Sequence, residues 1–185
     1  MSNVPVLETE RLVLRAHREE DFDAMAAMWA DPAVVRYISG EEYTPEETWT
    51  WFLRYAGHWS VRGYGYWAIT AREDSRFMGE TGFADYRREI TPALNGRPEA
   101  GWVLRSEEFG QGYATEAVKA VTAWADANIE IATTVCLFDP EHAASIRVAE
   151  KVGYRKLRVS EYRGSETLVM TRPRRWPGAG PLAGK

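Results

Sequence analysis

Where an extended segment gives way to a strongly amphipathic helix, the chain reads Phe109-Gly110-Gln111-Gly112-Tyr113-Ala114-Thr115-Glu116-Ala117. Two glycines one residue apart let the main chain turn sharply and approach a ligand closely, while the first amides of the helix lack a carbonyl partner. Such a junction accepts an anion, and a pyrophosphate suits it. Apolar residues at Ala117, Val118, Val121, Trp124, Ala125 and Ile129 keep the i, i+3, i+4 spacing of a packed face, so the loop is rigidly mounted. Two familiar phosphate loops do not fit. The Lys-Ser/Thr pair of a nucleotide P-loop is missing after Gly112, and the dinucleotide fingerprint needs a third glycine where Thr115 stands. An isolated Gly-x-Gly more often marks only a tight turn, so the rest of the chain decides.

The pattern before the glycines predicts a strand over 10–16, then a helix from about Glu19 that Asp31-Pro32 stops, with a shorter turn reaching Tyr37 and Ile38. Thr44-Pro45-Glu46-Glu47 opens a second helix running to about His58. Segments 64–70 and 77–84 flank the polar turn Arg72 to Arg76 and pair as a hairpin, with Gly79 marking a bulge. After a loop over 91–98, a strand at 99–104 leads into the glycine junction. Beyond the helix lie a strand at 131–138, a helix at 141–152 ending at Gly153, and strands near 154–161 and 166–171. This order predicts a mixed α/β fold: a mostly antiparallel central sheet with one parallel crossover in its middle. The 185 residues make one domain over 1–171, and the tail 172–185, with three of the nine prolines, is expected to be irregular.

Composition narrows the partners. A net charge of −4 gives no field for nucleic acid, no segment approaches a membrane span, and Met1 to Pro5 lacks the regions of a signal peptide, so a cytoplasmic address is expected. Cys136 lies in the apolar run Thr133 to Phe138, where burial is the expected fate and no His-Asp partner suggests a nucleophile. A homodimer is only a base-rate expectation.

The element order, together with FGQGYATEA and SIRVAEKVGY, resembles the GNAT superfamily of acetyl-CoA-dependent N-acetyltransferases. LETERLVLRA and EAGWVLRSEEFGQGYATEA resemble the subgroup that acetylates the N-termini of ribosomal proteins. The resemblance covers about residues 7 to 171 and implies helices on both faces of the sheet, a splayed parallel strand pair and no metal. Gln111, Gly112, Tyr113, Ala114 and Thr115 would supply pyrophosphate-binding amides, and the main chain of Trp102, Val103 and Leu104 would pair with the pantetheine arm of acetyl-CoA. Phe109 departs from the usual Gln/Arg at the loop's first position. His142 replaces an asparagine that commonly bonds the cofactor arm, and reads equally as a solvent-facing helix-start residue.

The implied chemistry is attack of a primary amine on a thioester in a ternary complex. At pH 7 roughly a tenth of a chain-terminal α-amine is neutral, against less than about a thousandth of a lysine amine. The resemblance makes Glu99 the first candidate for the base, directly or through a water; Asp85 and Glu89 are weaker ones. It assigns the oxyanion donor to about the Val103 amide. Ala149 stands where many relatives carry an acidic tyrosine, leaving Ser145 as hydrogen-bond partner of the departing thiolate, while Tyr154 is expected to pack. The first two helices, rich in Trp29, Tyr43, Trp49, Trp51 and Trp59, would form the acceptor wall, with most of these rings in the core. A protein N-terminus, a small-molecule amine and a non-catalytic acyl-CoA-binding module all remain open.

Overall fold

The computed structural model describes residues 4–175. Strand β3 (Tyr66–Ala71) is buried along its whole length, and its alternating side chains feed two cores. Trp67 and Ile69 join one with Met78, Phe83 and helix α4 (Tyr113–Asn128), whereas Tyr66 and Ala68 join the other with Met25, Trp29 and Tyr55. A strand covered on both faces requires helices on both sides of the sheet, and they are present.

The remaining strands are β1 (Leu7–Glu8), β2 (Leu12–Arg15), β4 (Phe77–Ala84), β5 (Glu99–Leu104), β6 (Thr133–Phe138), β7 (Arg155–Tyr162) and β8 (Ser165–Pro173). They form one sheet in the order β1-β2-β3-β4-β5-β6-β8-β7, antiparallel throughout except for β5 beside β6. The other helices are α1 (Phe22–Trp29), α2 (Pro32–Val35), α3 (Pro45–Arg62) and α5 (Ala143–Lys151). No helix among the described residues is long and apolar enough to cross a membrane.

Local chemistry sets the boundaries. Thr44 and Glu47 form a reciprocal capping box at the start of α3, and Gly63, left-handed at φ 70°, ends it. The helix therefore runs four residues past His58. The hairpin β3-β4 carries its irregularity beside Gly79, as expected, where a Cβ would fall 2.2 Å from the Val103 carbonyl oxygen. Strand β8 reaches Pro173, two residues beyond the boundary expected from sequence. Arg172 is buried there, and its Nη1 donates to Asp126 Oδ1 at 2.8 Å. Of the expected tail, 176–185 lie outside the described residues, as do residues 1–3.

An ion pair ties strand β2 to the helical wall. Arg15 donates to both oxygens of Asp21, at 2.7 and 2.8 Å, and the Arg18 main chain adds a bond of 2.8 Å. Burial pushes the Asp21 carboxyl up, but these bonds outweigh it and hold it below its ordinary value. Its contribution to stability is therefore complete above the unfolded carboxyl pKa and is lost as pH falls through the lower folded value. Asp21→Asn is expected to cost about 2 kcal/mol in urea unfolding at pH 7, with the gap from wild type shrinking below about pH 4.

Candidate active site

Strands β5 and β6 register at one position, Glu99 opposite Val135. Toward Leu104 the strands separate, because β6 continues its ladder with β8 through Phe138. Arg105 donates its amide to Met78 and Phe83 donates its amide to Gly65, which fixes the alternation of the β4-β5 ladder. The main-chain groups of Glu99, Gly101 and Val103 consequently point toward β4. Those of Trp102 and Leu104 point into the gap. This parity moves the expected oxyanion donor: the Val103 amide belongs to the sheet, and the amides facing the opening are its two neighbours.

At the wide end of the gap stands the glycine junction. A short 3-10 turn, Ser106–Glu108, leads into it, held by Ser106 Oγ donating to Asp31 at 2.5 Å and by Arg76 against the buried Glu108 at 3.2 Å. Gly110 and Gly112 are both left-handed, at φ 75° and 86°. A Cβ on Gly110 would meet nothing within 4 Å, and one on Gly112 only Arg11 Nη2 at 3.5 Å. Space therefore lies in front of this bend. Glu116 donates the first α4 bond, to the Gly112 carbonyl, and no side chain caps the helix. The preceding amides, Tyr113 to Thr115, have no partner within the helix and lie at the positive end of its dipole.

Arg11, which sequence reasoning missed, braces this bend. Its Nη1 donates to the Gln111 carbonyl at 3.0 Å, its Nε to Glu116 at 2.8 Å, and its guanidinium lies 4.3 Å from the Tyr113 ring centre. Burial raises the Glu116 carboxyl, yet bonds from Thr9 and Arg11 outweigh that and hold it below its ordinary value. The β1-β2 turn thus delivers a cation beside the expected anion site. The partner was visible in the sequence as Glu116, one turn into the helix, but the pairing spans 105 residues.

At the narrow end a cavity of about 230 Å³ opens between β5, β6, α5 and the helical wall. Glu99, Trp102, Val103, His142 and Ser145 all line it, so the structure brings these expected residues together; Leu104 and Gln111 to Thr115 stand apart toward the wide end. Trp29, Tyr43, Trp51, Tyr55, Tyr66 and Tyr86 form its aromatic side, with Trp29 stacked on Tyr43 at 4.9 Å and Tyr55 on Tyr66 at 4.6 Å. Asp85 lines an adjoining cavity, and Glu89 is exposed outside both.

Glu99 does not stand free. Arg88 Nε and Nη2 donate to its two oxygens at 2.6 and 2.7 Å, a two-pronged pair of high strength. His142 is half-buried and stacks on Tyr37 at 4.7 Å, and burial lowers its pKa, so the ring is neutral at pH 7. Its Nε2 lies 3.3 Å from Ser145 Oγ, with donor and acceptor roles set by the tautomer. Ala149 and Tyr154 are fully buried, and Tyr154 bonds Thr134 at 2.8 Å, which is packing. Burial pushes the Cys136 thiol up, away from nucleophilic character.

A second group also escaped the sequence reading. Glu80 is fully buried beneath the aromatic side, accepting from Tyr55 at 2.5 Å and Trp29 at 3.2 Å, with His17 Nε2 at 3.5 Å. Burial first, and then the Glu80 charge, keep the Tyr55 phenol well above its usual pKa, so its proton stays on this bond. A lone carboxylate inside the apolar strand Phe77–Ala84 was the available signal.

Residues 11–155 match the acetyltransferase (GNAT) domain family. N-acetyltransferase p20 of Bacillus licheniformis, itself uncharacterized, is 27% identical over 151 residues, covering 81% of this chain and 82% of its own. An acetyltransferase of Agrobacterium tumefaciens superposes with a TM-score of 0.78 at 28% identity, covering 91% of this chain and 94% of that one. A ribosomal L7/L12 α-N-protein acetyltransferase solved with coenzyme A shares the fold at TM-score 0.74 and 18% identity, covering 91% of this chain and 98% of that one.

Gly112→Val forces a β-branched residue into a left-handed conformation that costs an L-residue about 1–2 kcal/mol. Relaxation of the bend would turn the free amides away. Coenzyme A affinity, read by calorimetry, is expected to fall about tenfold or more; an unchanged affinity would remove this bend from the ligand site.

Proposed function

The chain belongs to the GNAT acetyltransferases, and from that premise we propose that it moves the acetyl group of acetyl-CoA directly onto a primary amine held in the aromatic cavity. The acceptor is a protein N-terminal α-amine or a small-molecule amine. One observation carries the reading: an open strand edge joins a glycine bend with free amides to an aromatic-lined cavity. The bend fits a diphosphate, since its amides are unspent and space lies before them. The gap-facing groups of Trp102 and Leu104 fit the amides of a pantetheine arm as a missing strand would. Acetyl-CoA supplies the activated acyl group.

In this reading the Trp102 amide donates to the thioester carbonyl oxygen as negative charge builds there. The amine nitrogen forms its bond to the carbonyl carbon, the carbon–sulfur bond breaks, and the sulfur leaves with the electron pair. Ser145 steadies that sulfur when its hydroxyl turns from His142, because a neutral imidazole leaves the hydroxyl free to choose its partner. The proton shed by nitrogen passes to Glu99, through a water, or to solvent. Accepting it requires Glu99 to loosen one Arg88 bond, so the carboxylate serves as base only once the acceptor has disturbed that pair.

Thiol release from acetyl-CoA, measured against a panel of N-terminal peptides and small amines, is expected to show turnover with at least one acceptor. Tight coenzyme A binding without turnover across a broad panel would make the protein an acyl-CoA-binding module. Glu99→Gln is expected to lower kcat/KM by about 10²-fold near neutral pH and by progressively less at high pH, where the free amine is already deprotonated. A pH profile parallel to wild type would take Glu99 out of the proton path.

A further inference from the structure

A second cavity, of about 450 Å³, adjoins the first at the N-terminal end of β5, and Tyr86, Arg88 and Glu99 line both. Its other charged residues are Arg62, Asp85, Arg87 and Arg97. Four guanidinium groups thus face two carboxylates. Arg88 and Glu99 satisfy each other at 2.6 Å. Asp85 is shared between Arg62 at 3.4 Å and Arg87 at 3.8 Å, and no ion pair joins Arg97 to any described carboxylate. Two positive charges remain uncompensated in a concave site whose arginines arrive from three separate segments: the end of α3, the exit of β4 and the 91–98 loop.

These arginines do not belong to the diphosphate site. Strand β5 spans six residues between the two ends, and a strand rises about 3.3 Å per residue, which sets them roughly 17 Å apart. The cavity lies beyond the closed end of the gap, next to the aromatic side that would receive an acceptor. We propose that it binds an anionic group of the acceptor, so that the substrate is a small amine carrying a carboxylate or a phosphate. The anion sits among Arg62, Arg87 and Arg97, and the chain of the substrate crosses Tyr86 and the Arg88–Glu99 pair to place its amine in the aromatic cavity. Guanidinium groups match both oxyanions in charge and geometry, and the two cavities together have the size of small-molecule sites. A polyamine would meet net positive charge at the same place. This inference rests on the acetyl-transfer reading for what happens to the amine, but the anion site can be tested without turnover.

The experiment titrates inorganic phosphate and, separately, succinate into the wild-type protein by calorimetry, with coenzyme A saturating so that the glycine bend is filled. The same titrations are run on Arg97→Gln, whose thermal midpoint is checked against wild type. Binding of at least one anion to wild type, weakened about tenfold in the variant, supports the site, and the better-bound anion identifies carboxylate or phosphate as its group. Failure of both anions to bind wild type, or equal binding to the variant, overturns it. Acetyl transfer is then compared for amines matched except for the anionic group. A lower KM for the anionic amine that Arg97→Gln abolishes at similar kcat supports the substrate class, and faster turnover of neutral amines or neutral peptide N-termini overturns it. Should no amine release thiol while Arg97-dependent anion binding persists, the acetyl-transfer reading fails and the anion site stands.

Discussion

A single ladder contact between β5 and β6, at Glu99 and Val135, governs the rest of the site. Parallel neighbours normally exchange bonds along their length, and an unpaired buried edge is costly. Here β6 is committed to β8 over six registered pairs while β5 is committed to β4 over six others. The two half-sheets diverge, and the inner edge of β5 keeps two residues' worth of unsatisfied groups. That opening turns a sheet defect into a slot along the edge of β5. The glycine bend at one end and the aromatic cavity at the other acquire meaning from lying along the same strand.

Charge is distributed along this slot with a clear division of labour. At the wide end, the unpaired amides of α4 offer positive potential, and Glu116 is spent on Arg11 and Thr9. At the narrow end, Glu99 is held by Arg88, and Glu80 lies sealed under Tyr55 and Trp29. Neither carboxylate is poised as an unopposed base. Under the proposed reading, such a site favours an amine that arrives already neutral, or one whose own groups disturb the Arg88 pair. His142, whose pKa burial lowers, lies beside Ser145 in the same cavity.

Much of this was legible in the residues. Periodicity placed nearly every long element, Pro45 and the Gly110–Gly112 pair placed the starts of α3 and α4, Gly153 placed the stop of α5, and Gly79 marked its bulge, whereas the end of α3, expected at about His58, falls at Arg62. The two-residue β1 left no alternation to detect, and the end of β8 was masked by Pro173, its last residue, since proline reads as a strand stop. The site residues divide by range. Glu99, Trp102, His142 and Ser145 could be gathered from their motifs, and they do share a cavity. Arg88 and Arg11 could not, because an ion pair between distant segments has no local pattern. The register with β4 turns the Val103 amide into the sheet and those of Trp102 and Leu104 into the gap, an orientation the sequence could not give because a one-residue change reverses every group. Glu80 was the readable signal left unread, a charge in a run of apolar strand positions.

The most direct measurement is a crystal structure of the protein with acetyl-CoA. The account predicts diphosphate oxygens within hydrogen-bond distance of the main-chain nitrogens of Gly112 to Thr115, the arm lying between β5 and β6 against Trp102 and Leu104, and the thioester directed toward Glu99. A diphosphate bound elsewhere, or an arm that leaves the gap between the two strands empty, would contradict it.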